Sequence, residues 1–298
     1  MNDFHKPVLL NEVLAHLKVE EDKRYIDATI GGGGHTKALL EKGALVLGID
    51  QDQEALEYVE DNFKTQILDG KLVLAKGNFV DLEEIAHLKN FDKVSGILFD
   101  LGVSSHQIDA AERGFSFLKE GPLDMRMDKD SVVTAEALVN LLGKGELYDL
   151  FNKLGQEHRA GPISNSIIRA RRIKAIQTTE ALAEVVKEAY GIKGELSLYA
   201  KTNINKRVFQ ALRIAVNDEL ESLEVALPQA LGLLEKNGRI AVISFHSLED
   251  GIVKRAFRDF EAKNMGKILT EKPIEATKEE IEQNSRSKPA KLRVFERN

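Results

Sequence analysis

Short apolar runs alternate with helical patterns through the first third of the chain. "RYIDA" (24–28), "ALVLGID" (44–50), "KLVLA" (71–75) and "VSGILFD" (94–100) read as buried strands, and amphipathic spacing predicts helices near 34–42, 52–64 and 81–88 between them. That rhythm predicts a parallel sheet covered on both faces, hence an α/β fold. From 106 to 205 the strand signals stop, and helical patterns near 134–142, 145–154, 164–175 and 178–190 replace them. A long helical pattern, "NKRVFQALRIAVNDELESLEVAL", then leads to Pro228. "GRIAVISF" (238–245) restores a buried strand, a helix is expected at 248–260, and "KLRVFER" (291–297) alternates as a closing edge strand. The pattern therefore implies about six or seven strands. It divides the chain into a sheet domain of residues 1–105 and 206–298 and an inserted helical domain of residues 106–205. The charged stretch 271–291 reads as a solvated loop. At the N-terminus, Val8, Leu9, Val13, Leu14 and Leu17 have the spacing of an amphipathic helix, not of a secretory signal.

Composition narrows the function classes. The chain has 298 residues, 43% of them hydrophobic and 30% charged, and no run approaches the roughly 18 apolar residues of a membrane span. A cytoplasmic protein without a membrane partner is expected. With no cysteine, disulfides, Cys-ligated metals and a thiolate nucleophile are all excluded, and no metal site is expected. A net charge of -6 argues against a uniformly basic surface but leaves room for local patches. "SIIRARRIKAIQ" groups Arg169, Arg171, Arg172 and Lys174, and the helix at 248–260 adds Lys254, Arg255 and Arg258. Both runs are candidate contacts for RNA phosphates, against the alternative of a plain solvated face.

The candidate chemistry lies at the ends of the first four strands. In "YIDATIGGGGHT" the glycines follow a strand and open a helix, where the backbone can turn sharply and approach a ligand. Asp50 closes the second strand about 20 residues beyond the first glycine, where an acid accepts the hydroxyls of an adenosine ribose; the alternative is a cap on the next helix. Asp27 precedes the glycines, where a dinucleotide fold usually has only apolar residues. An acid there suits a ligand with positive charge, such as the amino-acid end of S-adenosylmethionine. Asn78 or Phe79 of "KGNFVDL" could touch an adenine, with Phe79 as plain core the rival reading. Asp100 ends the fourth strand in "ILFDLGVSS", so four strand ends converge on one crevice.

With these residues assembled, the chain resembles the MraW family of bacterial small-subunit ribosomal RNA methyltransferases, which modify the exocyclic amine of a decoding-site cytosine. The resemblance rests on "HKPVLLNEV", "YIDATIGGGGHT", "GIDQD", "GNF", "ILFDLGVSSHQIDAAERGFSF", "GPLDMRMD", "FQALRIAVNDEL", "GRIAVISFHSLED" and "SKPAKLRVFER", spread over nearly the whole length. It implies a class I, Rossmann-like S-adenosylmethionine methyltransferase sheet with an inserted helical domain. It further implies S-adenosylmethionine contacts at Gly33, Gly34, His35, Asp50, Phe79, Asp100 and Gln107, to which the residue reading adds Asp27. The implied partner is small-subunit ribosomal RNA within the assembled or assembling subunit, and a homodimer is a further expectation. The chain departs from the family at His106, Pro162, Gly251 and "TNINKRVFQ", all on the insertion and the expected RNA side.

The absence of cysteine argues against methylation at cytosine carbon 5, which needs a covalent adduct, and leaves attack by nitrogen or oxygen. A cytosine amine has its lone pair delocalised into the ring, so an acceptor must hold its hydrogens and aim the lone pair in line. Asp100 or the carbonyls of the following loop are expected to do this, with Ser104 and Ser105 shaping that loop or serving only its turn. Asp124 and His246 are further catalytic candidates for substrate positioning or proton acceptance. Phe115 or Phe117 could stack on an extruded base, against the more common outcome of core packing. A nicotinamide dehydrogenase and a non-catalytic RNA-binding or assembly factor are the competing readings, and Asp27 counts against the dehydrogenase.

Overall fold

The computed structural model describes residues 7–298. In chain order the first elements are Leu10–Leu17 (α1), Arg24–Asp27 (β1), Gly34–Glu41 (α2), Leu45–Asp50 (β2), Gln53–Asn62 (α3), Lys64–Leu68 (α4), Leu72–Lys76 (β3), Leu82–Leu88 (α5) and Val94–Asp100 (β4). A helical stretch follows: Ser105–Asp109 (α6), Ala135–Leu141 (α7), Lys144–Lys153 (α8), Ala160–Ile173 (α9), Thr179–Ala189 (α10) and Leu198–Val216 (α11). The chain ends with Glu219–Leu233 (α12), Leu234–Ser244 (β5), Ser247–Ala262 (α13), Gly266–Ile268 (β6), Ile274–Glu275 (β7), Lys278–Gln283 (α14) and Lys291–Arg297 (β8). It divides into two compact units, one running to Ser104 and resuming at Leu220–Asn298, the other comprising Ser105–Glu219. No helix among the described residues is long and apolar enough to cross a membrane.

The first unit is the expected α/β sheet, in the order β3-β2-β1-β4-β5-β8-β6, with β7 also on β8. Strands β1 to β5 are parallel, and β8 runs antiparallel between β5 and β6. Alternate side chains of each strand enter opposite cores, as the two-residue period requires. From β5, Ile240 and Val242 join Leu223, Leu227, Val253 and Phe257, while Ala241 and Ile243 join Val13, Leu17, Leu39 and Val59. Helices α5, α12 and α13 thus cover one face, and α1, α2 and α3 the other. Strand order reverses between β1's two neighbours, β2 and β4, which is where open parallel sheets bind ligands at the carboxyl ends of their strands.

The helical unit is larger than the sequence pattern implied. Helix α11 packs on α7, α8 and α10 and buries Ile204, Val208 and Leu212, so it stays with the insertion, and the return to the sheet unit comes at Leu220 instead of 206. One long helical pattern became two helices because Asn217 caps α11 and Asp218 takes a left-handed φ of 48°. The buried Asn217 amide donates to the carbonyls of Met125 and Arg213 at 2.8 Å and accepts from the Met127 amide at 2.7 Å. Pro228, expected to end a helix, lies inside α12. Pro162 occupies the first turn of α9, where its missing N–H would have had no helical partner.

Residues 271–291, expected as a solvated loop, are folded onto the sheet unit. β7 pairs with β8, Thr277 caps α14, Glu280 accepts the Leu9 amide at 2.8 Å, and Ser287 and Ala290 are buried. Strands of three and two residues are too short to leave a period-two pattern, which is why eight strands stand where six or seven were expected.

Asn217→Ala strips a buried carbonyl and a buried amide of their partner at the α11–α12 break. A loss of roughly 1–3 kcal/mol per orphaned group is expected. Thermal denaturation followed by circular dichroism measures it, and an unchanged midpoint would refute the role assigned to this side chain.

Candidate active site

Three carboxylates close three adjacent strands. Asp27, Asp50 and Asp100 are the last residues of β1, β2 and β4, and β1 lies between the other two. The turn after β1 brings Gly31 and Gly33 into left-handed conformations, φ 48° and 76°, before Gly34 opens α2. A β-carbon on Gly33 would stand 3.0 Å from the Phe63 ring, and one on Gly34 3.1 Å from Pro7. The run is thus a close-approach turn, not a flexible spacer.

Asp50 accepts the Gly31 amide at 2.8 Å and the Asp52 amide at 2.9 Å, which binds the glycine turn to the end of β2. It is Asp52 that caps α3, by accepting from the Glu54 amide, so the cap reading of Asp50 falls away. Asp27 is buried and accepts the Thr36 hydroxyl at 2.7 Å. Burial pushes both carboxyls up to about 6. His35, also buried, places Nε2 3.0 Å from the Val8 carbonyl and Nδ1 3.5 Å from Asp100 Oδ2.

Asp100 receives less compensation than its neighbours. Its amide donates to Thr29 Oγ1 at 2.7 Å, but its buried carboxylate Oδ1 has no hydrogen-bond partner. Burial first, then the charges of Asp27 and Glu249, push this carboxyl well above the usual range. It caps no helix. Phe79 stands on a short 3-10 turn and packs edge to face on Phe99 at 5.7 Å, which leaves it partly exposed beside the end of β3, and Asn78 caps that turn.

Other sequence candidates have structural duties. His246 is the N-cap of α13: its Nδ1 accepts the Glu249 amide at 3.4 Å, while Glu249 Oε2 accepts the amides of Phe245 and His246. Its Nε2 lies 3.0 Å from Glu249 Oε1 but, buried, has no hydrogen-bond partner, so only the Nδ1 side of the ring is committed to the cap. Asp124 is gripped by Arg126 through two 2.8 Å bonds; burial would raise its carboxyl, but the guanidinium holds it below the usual range. Arg126 also donates to the carbonyls of Lys129 and Ser131, so the pair organises a loop of the helical unit. Phe115 is buried with Arg113 over its ring at 6.0 Å, and Phe117 packs edge to face on Phe209, so both take the core role. Gln107 is buried in α6; Ser104 and Ser105 are half-buried and fall at the division between the units.

The expected basic run is partly neutralised. Arg169 pairs with Glu188 at 3.0 Å and Arg171 donates to the Val139 carbonyl, whereas Arg172 is exposed. On α13, Lys254 is exposed and Arg255 reaches Glu224 at 3.6 Å. Three residues were not singled out as site residues by the sequence: Thr29, Thr36 and Glu249. Thr36 directly follows "GGGGH", and "HSLE" has the spacing of a capping box, so both had a local signal. Thr29 had none.

The MraW methylase family profile matches residues 2–298. A ribosomal RNA small subunit methyltransferase H of Coprothermobacter proteolyticus is 42% identical over 295 residues, covering 98% of this chain and 96% of that protein. The protein of that name in Halothermothrix orenii is 44% identical over 312 residues, covering 98% of both. Among solved structures, an rRNA methylase of Streptococcus thermophilus aligns at 10% identity and a TM-score of 0.45, over 95% of this chain and 94% of that one.

Because folded Asp100 holds its proton more tightly than the unfolded chain, ionisation weakens the fold as pH climbs from 3.8 through the raised folded value. Asp100→Asn removes that penalty. The melting temperature of the variant is expected to match the parent near about pH 4 and to exceed it increasingly toward about pH 8. An offset between the two proteins that does not vary with pH would refute the assignment.

Proposed function

The chain belongs to the MraW methylase family, and from that premise we propose that it methylates the exocyclic amine of a cytidine in small-subunit ribosomal RNA with S-adenosylmethionine. The observation that carries this reading is the set of three strand-end carboxylates around a left-handed glycine turn. Carboxyls raised by burial are better matched to a cation than to an anionic dinucleotide, and Asp100 Oδ1 is a buried acceptor in want of a donor. These features favour a methyltransferase over a nicotinamide dehydrogenase, and no pure binding module needs them.

When bound, S-adenosylmethionine supplies a methyl group on a positively charged sulfur. Asp50 has lone pairs beyond those used by Gly31 and Asp52 and is suited to ribose hydroxyls. Gly33 and Gly34 hold the turn tight against Phe63 and Pro7, Phe79 offers a ring to the base, and Asp27, held by Thr36, offers negative charge to an ammonium group. His35 fixes the Asp100 side at the same turn. Asp100 then accepts a hydrogen of the cytosine amine, which turns the nitrogen lone pair toward the methyl group. As the amine nitrogen gains the methyl group it loses a proton, for which the Asp100 carboxylate is the nearest acceptor in this reading. Transfer needs no enzyme nucleophile, in keeping with a chain that has no cysteine. Asp124 and His246 support this by fixing loops and not by touching the reacting atoms.

The natural substrate in this reading is the assembled or assembling subunit in the bacterial cytoplasm, met by a homodimer. Labelled methyl transfer to small subunits and to naked RNA, followed by mass mapping, is expected to yield cytidine methylated on its amine, with subunits preferred. Absence of methylated cytidine from both would overturn the function. Asp50→Ala is expected to weaken S-adenosylmethionine binding at least about tenfold in calorimetry, the loss of one charge-assisted contact. Asp100→Asn is expected to lower turnover more than it lowers cofactor affinity, and the reverse pattern would restrict Asp100 to cofactor binding.

A further inference from the structure

The cations most prominent in the sequence, Arg169 and Arg171, have partners inside the helical unit. A different basic surface of that unit has no such neutralisation. Helix α11, "LYAKTNINKRVFQALRIAV", carries four cations and no acid over 19 residues. In a chain with 48 acids against 42 bases this reverses the local balance. Arg213 is bound by Glu219, but Lys201, Lys206 and Arg207 form no ion pair among the described residues. The nearest acids along the chain are Glu195 and Asp218, outside the two ends of the helix.

The face presented to solvent has a definite chemistry. Ile204, Val208, Ala211 and Leu212 are buried, whereas Tyr199, Asn203, Lys206 and Arg207 are exposed. At about 100° per residue, Tyr199, Asn203 and Lys206 lie within about 60° of one another, and Arg207 flanks them. Tyr199 is 78% exposed. A planar ring, an amide and two cations therefore share one stripe roughly 10 Å long. The combination answers to a strand with accessible base faces and regularly spaced phosphates. Duplex RNA, whose bases are stacked on one another, leaves the ring without a partner.

We propose that this face of α11 binds single-stranded RNA, with Tyr199 as the stacking platform, Lys206 and Arg207 as phosphate contacts and Asn203 at a base edge. The inference rests on the reading of the chain as an RNA methyltransferase and names a part of its substrate surface within the helical unit. Each of these side chains is at the surface of the helix, so substitution leaves the buried face intact.

The test is fluorescence anisotropy of the full chain with a labelled single-stranded fragment of small-subunit ribosomal RNA, a duplex of equal length and isolated small subunits, over a range of salt. Tyr199→Ala is expected to weaken single-strand binding roughly 5- to 150-fold, the worth of one base–aromatic stack, while Tyr199→Phe retains it. Lys206→Ala with Arg207→Ala is expected to reduce the steepness of the log affinity against log salt plot by about 1.4, two phosphates' worth. S-adenosylmethionine binding, measured separately, is expected to be unchanged in all three. Equal affinity of parent and Tyr199→Ala for the single strand would overturn the proposal while leaving the methyltransferase reading intact. So would an equal loss on single strand and duplex, or a loss seen only with subunits, which would point to a protein partner. Failure of the parent chain to bind any of the three RNAs would overturn both.

Discussion

Burying negative charge at the ends of adjacent strands is the constraint around which the sheet unit is arranged. Asp27, Asp50 and Asp100 stand on neighbouring strands, and each carboxylate that leaves water must be matched by donors or hold its proton. The fold answers with local devices. Gly31 and Asp52 turn their amides on Asp50, Thr36 donates to Asp27, and Thr29 anchors the Asp100 backbone. Of these three carboxylates, Asp100 is the one with a buried oxygen that has no partner, with Asp27 and Glu249 adding repulsion.

The glycine turn serves the same constraint. Its amide at Gly31 reaches Asp50 because the backbone there is left-handed, and the ring of Phe63 and the side chain of Pro7 close over Gly33 and Gly34. The capping box of α13 works at the other side. Glu249 is buried because it caps two amides, and its charge then bears on Asp100. His246 is drawn into that cap through Nδ1, while its buried Nε2 has no hydrogen-bond partner.

Charge in the helical unit follows a different rule. Arg126 and Asp124 fix a loop, and Arg169 and Arg171 tie α9 to α10 and α7. A cation in a dense run finds an intramolecular partner when neighbouring helices present an acid or a carbonyl. The acid-free α11 leaves Lys206 and Arg207 in solvent, and they acquire significance only when the burial of its opposite face is known.

Hydrophobic periodicity and turn chemistry are local, so the sequence alone determined the strand–helix alternation, the glycine turn, the strand-end acids Asp27, Asp50 and Asp100, and the existence of a helical insertion. The same local rules could not see β6 and β7, nor the docking of 271–291, because those pairings connect residues with no periodic pattern of their own. They also could not divide α11 from α12, where the amide of Asn217 binds the Met125 carbonyl of a distant loop. Which charged groups are matched is a tertiary property, since desolvation and partner geometry depend on residues far apart in the chain. The sequence offered Asp124 and His246 as further candidates beside Asp100; the structure separated them, because Arg126 grips both oxygens of Asp124 and His246 Nδ1 caps α13.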